Sequence, residues 1–296
     1  METVTDQLAR QFKVLADPQR LRLLALFRQG ECHVAELTRV LGQSQPRVSQ
    51  QLKLLCDAGL LERFRDGQRV FYRLRNRVGP LERRLLALLP DRDPAFDADR
   101  SRLRELRGSG LAAGPDEADE EAPGLRPLHR AILDYTVTAP VGDLLDIGCG
   151  RGRILKLLAS RANRAIGVDV DAEARQLARA ELLLAGLPNC SLRHGDMYAL
   201  PFTDASFDTI VLDDVLSAAE SPVRALCEAR RLLKPGGRLF VLIRVDDGDA
   251  DTLARRLAEW GAAAEIRLAA PRRVPKLRPT WLLSVATRAD TETAAA

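Results

Sequence analysis

One ten-residue stretch limits this chain more than any other: Leu144-Leu145-Asp146-Ile147-Gly148-Cys149-Gly150-Arg151-Gly152-Arg153. It begins as an apolar strand, continues through three glycines at alternate positions, and leads into a helical pattern that opens at Ile154. Glycine has no Cβ, so such a turn lets backbone N–H groups at a helix N-terminus approach a nucleotide-like ligand closely. The run taken alone is a weak signal, because glycine turns also simply join strands to helices. Its weight comes from an acid downstream and from what lies upstream.

At 296 residues the chain is long enough for two domains, each with its own core. Charge divides it. Residues 1–90 carry 16 Lys and Arg against 9 Asp and Glu, net +7, while the other 206 residues carry 29 against 32, net −3, which restores the overall +4. A basic amino-terminal part on a slightly acidic body is the footprint of a nucleic-acid-binding module attached to something else. No apolar run reaches transmembrane length, and the first residues lack the basic-then-apolar order of a signal peptide, so a cytoplasmic protein with no membrane partner is expected. Five cysteines without a Cys-x-x-Cys read as reduced thiols, not as a disulfide framework or a zinc site.

From Asp6 to Gln29, apolar residues recur at helical spacing and break at Asp17-Pro18, which predicts two helices, the second ending at Gly30. A short third helix spans His33 to Leu41 and closes at Gly42. Ser44 is a good N-cap for a fourth, with Pro46 in its first turn and Val48, Leu52, Leu55 and Cys56 facing inward. That spacing is helix-turn-helix. The outward residues of the fourth helix, Gln45, Arg47, Ser49, Gln50 and Lys53, are short polar groups and long donors near a helix N-terminus, where a recognition helix meets base edges. Arg47 and Gln50 are the best candidates for base contact. Past Gly59, two β-prone runs flank Asp66-Gly67, a strong hairpin signal. The hairpin carries Arg63, Arg65, Arg69 and Arg73 and reads as a wing that grips phosphates.

On these residues the segment 10–76 resembles the ArsR/SmtB family of winged-helix repressors. The resemblance rests on Leu15-Ala16-Asp17-Pro18-Gln19-Arg20-Leu21-Arg22-Leu23-Leu24, on Ser44-Gln45-Pro46-Arg47-Val48-Ser49-Gln50-Gln51-Leu52 and on Asp57-Ala58-Gly59-Leu60-Leu61. It implies a homodimer on a pseudo-palindromic double-stranded operator, with each recognition helix in a major groove. Dimer contacts would fall to the first helix and to Pro80–Leu89, where Leu81, Leu85, Leu88 and Leu89 form an apolar stripe. The family's metal sensors carry a Cys-x-Cys on the third helix or His and acidic ligands on a late helix. Here the matching third-helix stretch is His33-Val34-Ala35 with Cys32 before it, and Leu81–Arg107 contains neither His nor Cys, so no metal site is expected.

Residues 91–124 read as a charged helix followed by a flexible acidic linker, Gly-, Ala- and Pro-rich, with Asp116, Glu117, Asp119, Glu120 and Glu121 close together. A second domain is expected over 125–289, then a disordered tail over 290–296. After a helix from Leu125 to Tyr135, strands at Asp143–Ile147, Arg164–Val168, Ser191–Arg193, Thr209–Leu212 and Leu239–Arg244 alternate with helices, which means a parallel sheet covered on both faces. Ala264–Leu268 and Trp281–Thr287 read as an antiparallel hairpin on its edge. The expected fold class is therefore a mainly α winged helix-turn-helix followed by an α/β Rossmann-like domain with a mixed, mostly parallel sheet.

Residues 125–288 resemble the class I S-adenosylmethionine-dependent methyltransferases. The matching stretches come in order: Asp146 to Gly152; the strand-ending acid in Gly167-Val168-Asp169-Val170; Gly195-Asp196-Met197; Phe207-Asp208-Thr209-Ile210-Val211-Leu212-Asp213-Asp214; and Leu232-Leu233-Lys234-Pro235-Gly236-Gly237. A dehydrogenase is the competing reading of a glycine loop plus acid, but its turn is normally Gly-x-Gly-x-x-Gly. The resemblance implies a pocket for S-adenosylmethionine or S-adenosylhomocysteine. Gly148, Gly150 and Gly152 would meet its amino-acid part and Asp146 would order its ammonium. Asp169, 23 residues after Asp146, would accept the ribose hydroxyls beside Val170. Asp196 would accept from the adenine amino group, Met197 would pack on the ring, and Leu212 and Asp213 would line the sulfonium end. Asp171 reads instead as a helix N-cap.

No catalytic residue is singled out, because methyl transfer needs little beyond alignment. Amino-group DNA methylation is disfavoured by the lack of Asn-Pro-Pro-aromatic after the fourth strand, and cytosine methylation by the lack of Pro-Cys. Two functions from different classes follow. One is a DNA-binding regulator, a repressor, whose carboxy-terminal domain binds the S-adenosyl ligand as effector. The other is an active small-molecule methyltransferase whose winged helix represses its own operon.

Overall fold

The computed structural model describes residues 4–75, 79–111, 125–245, 250–274 and 280–289. The acidic linker over 112–124 and the tail over 290–296 lie outside the described residues. The chain divides into two compact units, residues 1–114 with 179–191 and residues 115–178 with 192–296.

In the first unit α1 (Val4–Leu15) and α2 (Pro18–Phe27) are separated where sequence chemistry requires it. Asp17, in extended conformation, accepts the free amides of Gln19 and Arg20 at 2.8 and 3.2 Å, and Pro18 takes the first helical position, where no amide partner is needed. After β1 (Cys32–His33), α3 (Val34–Leu41) opens with the Glu36 carboxylate accepting from the His33 amide at 2.9 Å and closes on Gly42 at φ +63°. Then follow α4 (Gln45–Asp57), β2 (Leu61–Asp66), β3 (Arg69–Leu74), α5 (Pro80–Ala87) and α6 (Pro94–Leu111). The three strands are ordered β1-β3-β2 and antiparallel. β1 escapes a sequence reading because two residues carry no alternation; its register, Cys32 beside Tyr72 and His33 beside Phe71, exists only once β3 is in place.

The core of this unit comprises Leu24, Leu37, Val48, Leu52, Leu55, Leu60 and Leu103, each fully buried. Burial of each such leucine stabilises by about 1.5–3 kcal/mol relative to exposure. Two ionic clamps fasten α6 to this core. Arg22 of α2 donates twice to the fully buried Asp99, both at 2.7 Å, and Arg107 donates to both oxygens of Glu36 on α3 at 2.7 and 3.1 Å and to the Glu31 carbonyl at 2.6 Å. Bidentate geometry makes such pairs directional. The charged helix predicted after residue 91 is thus a packed element of the first unit.

The second unit contains α7 (Arg126–Thr138), β4 (Gly142–Ile147), α8 (Arg153–Leu158) with one 3-10 turn (Ala159–Arg161), β5 (Ala162–Asp169), α9 (Ala172–Leu184) and β6 (Cys190–His194), the last two partly assigned to the first unit. They are followed by β7 (Phe207–Asp213), α10 (Pro222–Leu232), β8 (Leu233–Val245), α11 (Ala250–Ala263), β9 (Arg272–Val274) and β10 (Thr280–Thr287). Seven strands run in the order β6-β5-β4-β7-β8-β10-β9, parallel from β5 through β8, with β10 antiparallel to both β8 and β9. The central strands read as continuous apolar runs because helices cover both faces; Leu145, Ile147, Ile166, Ile210, Leu212, Val241 and Ile243 are all buried.

One expectation needs correction. Ala264–Leu268 is not a strand: Ile266 donates back to the Gly261 carbonyl and Leu268 to that of Ile266, so these amides close tight turns and leave no ladder. The partner of β10 on that side is Arg272–Val274, and β10 sits inside the sheet while β9 forms the edge.

Candidate functional site

In the first unit the helix-turn-helix presents the expected face. Val48, Leu52 and Leu55 point into the core, which turns Gln45, Arg47, Gln50 and Lys53 to the exposed side with Ser49 half-buried. Ser44 is exposed and extended at the N-cap (φ −68°, ψ 149°), but its hydroxyl makes no capping bond. In the hairpin Arg63, Arg65 and Arg69 are exposed. Arg73, read from sequence as a fourth phosphate contact, is only 9% exposed and is withdrawn from that role. It lies two residues beyond the buried Phe71 and therefore on the same inward face; it pairs with Glu62 directly across the ladder at 2.5 Å and stacks 5.3 Å over the Phe64 ring.

The stretch that corresponds to a metal sensor's third helix is occupied by structural contacts. The Cys32 thiol is fully buried beside Arg107, 3.6 Å away, and burial pushes its pKa up to about 12. The His33 ring meets Phe71 edge-on at 5.4 Å, and its desolvation lowers its pKa despite the neighbouring Glu36. Among the described residues no three His, Cys, Asp or Glu side chains gather as metal ligands.

In the second unit the strand order reverses between β4 and β7, and the carboxyl ends of these strands border the crevice where ligands enter open α/β sheets. Three carboxylates collect there. Asp146, next to last in β4, is 1% exposed and neither of its oxygens has a hydrogen-bond partner. Burial raises its pKa well above the carboxylate range, the negative charge of Asp213 raises it further, Arg153 opposes this, and Asp169 adds to it. Asp169, at the end of β5, accepts from the Gly150 amide at 2.8 Å through Oδ2 and from the Asp171 amide at 2.9 Å through Oδ1. Each oxygen keeps acceptor capacity for a further donor such as a hydroxyl. Asp213, last in β7, takes both oxygens to Nη2 of Arg153 at 2.6 Å.

The glycines do different work. A Cβ on Gly148 (φ +71°) would lie 2.2 Å from Val215, so glycine is needed there for packing; one on Gly150 (φ +50°) would meet nothing within 4 Å, so this is where the backbone faces open space. Gly152, at φ +79°, sets the entry to α8. Val170 is 63% exposed beside Asp169. Asp196 is exposed, its Oδ1 held by the Tyr198 amide at 3.0 Å, and Met197 is half-buried against the core. The Leu212 side chain packs wholly inside the core, which leaves its backbone as what it can offer a ligand. Asp171 accepts from the Glu173 amide at 2.8 Å, as an N-cap does.

Sequence reasoning missed Arg153 and Trp281. Arg153 is the first residue of α8, its guanidinium lies 5.0 Å over the Trp281 ring of β10, and its Nη1 is buried without a partner. Its place directly after the last glycine was a signal for Arg153; nothing in the sequence points to Trp281, which arrives only through the pairing of β10 with β8. The residues fit an S-adenosyl ligand: Asp213 pairs with the Arg153 guanidinium, whose charge also acts on Asp146, the two buried Asp146 oxygens and Arg153 Nη1 lack partners, and Gly150 leaves room for a close approach.

A mostly parallel, helix-covered sheet with its acids at the switch point defines a Rossmann-like methyltransferase fold, and the segment before it is a winged helix-turn-helix. Residues 17–63 match the family model of bacterial regulatory proteins of the arsR family, and residues 145–241 match that of a methyltransferase domain, so the chain carries an arsR-family helix-turn-helix domain and a methyltransferase domain. An uncharacterized 37.1 kDa protein in a transposon of Streptomyces fradiae is 35% identical over 177 residues, which cover 55% of this chain and 51% of that protein. An arsenite methyltransferase of Aquipseudomonas alcaligenes is 39% identical over 107 residues, 33% of this chain and 31% of that one. The chain thus spans about half the length of the first relative and a third of the second. Among solved structures, an N-methyltransferase of Bradyrhizobium japonicum in complex with S-adenosylhomocysteine superposes with a TM-score of 0.50 at 20% identity, over 63% of this chain and 98% of that one, a likeness of fold. Among the described residues no helix is long and apolar enough to cross a membrane.

Proposed function

We propose that this protein is a DNA-binding transcriptional repressor whose methyltransferase-type domain binds S-adenosylmethionine or S-adenosylhomocysteine as the effector of operator affinity. The observation that carries the reading is Asp146, a buried carboxylate with two unpartnered oxygens at the switch point, in the same chain as an exposed recognition face. A buried charge left without a partner is costly, and an ammonium supplied by a ligand relieves that cost. In this reading Asp146 holds the ammonium, the glycine loop meets the amino-acid end, Asp169 takes the ribose hydroxyls beside Val170, Asp196 and Met197 receive the adenine, and Asp213 with the Leu212 backbone borders the sulfonium. On the DNA side Arg47 and Gln50 read bases, with Ser44, Gln45, Ser49 and Lys53 around them, and Arg65 and Arg69 hold phosphates. The chain acts as a homodimer on a pseudo-palindromic operator. Exposed Phe12 on α1 and Leu88 after α5, at 53% and 73%, support that arrangement, and a Gln11–Glu82 hydrogen bond ties the two helices together.

The test is an operator gel shift titrated with each ligand to saturation. A change in apparent affinity of at least about fivefold, the lower end of typical allosteric coupling, is expected with one ligand and is lost in Asp169→Ala. Equal affinity with both ligands and with none overturns the reading, since a ligand that does not distinguish two states cannot shift them.

The second reading, an active methyltransferase on a small molecule, is favoured by the matched methyltransferase domain. S-Adenosylmethionine would supply an electrophilic methyl group, and this chain's residues would hold and orient it. Formation of S-adenosylhomocysteine in the presence of candidate acceptors, lost in Asp169→Ala, is the measurement that separates this reading from the first.

A further inference from the structure

Asp66 is out of place for a hairpin turn. It immediately precedes Gly67 (φ +58°) between β2 and β3, where a carboxylate ordinarily faces water, yet it is only 6% exposed. The cause is Arg179 of α9, which belongs with Asp66 to the first unit. Its Nη2 donates to Asp66 Oδ2 at 2.5 Å, its Nε donates to Glu31 Oε1 at 2.6 Å, and its guanidinium lies 4.0 Å over the Phe71 ring. Glu31 and Arg179 are buried as well, so the hairpin and the residue before β1 are gathered on one buried cation. The segment around Arg179 is packed in the same way: Leu183 belongs to the core that contains Leu37 and Leu55, and the Ser191 hydroxyl of β6 accepts from Arg73 Nη1 at 2.5 Å.

The contact bears on DNA binding through its neighbours. Arg65 precedes Asp66 and Arg69 is its partner across the ladder, and both are exposed hairpin arginines to which the regulator reading gives phosphates. Fixing Asp66 therefore fixes where these two guanidiniums start from. Withdrawing Arg179 would leave two buried carboxylates uncompensated, so the hairpin has one arrangement with the pair made and another with it broken. α9 is also one continuous helix from Ala172 to Leu184, and its start is tied to Asp169. Asp169 Oδ1 accepts from the Asp171 amide at 2.9 Å, and the Asp169 carbonyl accepts from Arg175 Nη1 at 2.9 Å, one helical turn before Arg179.

We infer that Arg179 is a positioning residue of the DNA-binding hairpin and that α9 carries the occupancy of the S-adenosyl site to it. The inference rests on the effector reading above and names its route. Ribose hydroxyls that engage Asp169 act on the group that ties down the start of α9; a helix moves as a stiff element, so the change reaches Arg179 and alters its hold on Asp66. Arg65 and Arg69 are then re-aimed, and the phosphate grip changes with no movement required of α4.

The test compares the full chain with its triple variant Glu31→Gln, Asp66→Asn and Arg179→Met, which removes the three charges together at similar volume and leaves no buried charge uncompensated. Operator affinity is measured by fluorescence anisotropy without ligand and with saturating S-adenosylmethionine or S-adenosylhomocysteine, and ligand affinity by isothermal titration. In the wild type one ligand should shift operator affinity by at least about fivefold. In the triple variant the shift should fall below about twofold while the ligand Kd stays within about twofold of the wild type, a separation that a merely structural role would not give. Arg179→Lys, which keeps the charge but not the fork that reaches both carboxylates, should retain part of the shift. Hydrogen exchange reads the same contact without DNA: ligand should change the protection of β2 and β3 amides in the wild type and leave it unchanged in the variant. A triple variant that keeps the full shift overturns the inference, as do wild-type hairpin amides indifferent to ligand. Should the triple variant fail to fold, Arg179→Lys and the wild-type exchange still decide. If the wild type binds ligand and operator with no shift, the effector reading itself falls and the route with it; if the shift survives in the variant, only the route falls.

Discussion

At the scale of single residues, the proposed S-adenosyl site sets stability against binding at Asp146. Its folded-state pKa lies above the ordinary carboxylate value, so the folded protein holds this proton more tightly than the unfolded chain does. The group's contribution accordingly favours folding at low pH and is lost as pH rises from the ordinary carboxylate range through the raised value. Asp146→Asn removes the charge and keeps the shape. We expect the ligand-free variant to melt a few degrees above the wild type at pH 7, about 2–4 °C per kcal/mol for a domain of this size, with the difference closing as pH falls toward about 4. The same variant should lose ligand affinity. Thermal melts across that pH range check the first part, and a variant that is less stable than the wild type at pH 7 would show that the free protein already satisfies this carboxylate.

At the scale of elements, the regulator reading divides the work of DNA binding between α4 and the hairpin, and their substitutions should separate. Arg47→Ala or Gln50→Ala, on the exposed face of α4, should cost about 1–3 kcal/mol on the operator and relax base preference, with little effect on unrelated DNA. Arg65→Ala or Arg69→Ala in the hairpin should weaken both DNAs alike and reduce the slope of log affinity against log salt by about 1 each. Fluorescence anisotropy at several salt concentrations measures both; an Arg69→Ala protein with an unchanged salt slope would remove the hairpin from the phosphate contacts. Arg73 is the instructive exception. Its position two residues from Phe71 is legible in the sequence, but which face of β3 the core claims is not, and so a buried cross-strand partner of Glu62 passes for a fourth surface arginine. α6 teaches the same lesson. Its charge suggests a solvated helix, whereas Asp99, Leu103 and Arg107 are buried because Arg22, the helix-turn-helix core and Glu36 meet them from other elements.

At the scale of the whole molecule, the regulator reading requires a homodimer, and the exposed side chains of Phe12 on α1 and Leu88 just after α5 are where it is tested. Phe12→Glu combined with Leu88→Glu places charge on that surface without touching a core residue, since both side chains are exposed in the single chain. The double variant should sediment as a monomer at micromolar concentration and lose cooperative operator binding while retaining ligand binding; an unchanged sedimentation coefficient would move the dimer surface elsewhere. By itself the sequence determined the order of most elements, the joining of a winged helix-turn-helix to a methyltransferase-type sheet, the outward face of α4, and the position of Asp146 and Asp169 near the ends of adjacent strands. Each follows from local chemistry: caps at Asp17 and Gly42, hydrophobic period, a hairpin turn, glycines before a helix. Only the tertiary structure decided that β10 lies inside the sheet, that Leu212 is core, and that Arg153 is held between Asp213 and Trp281 with one edge unused. Those facts depend on strands far apart in sequence meeting at one end of the sheet, and no local pattern encodes which side chains will be buried there together.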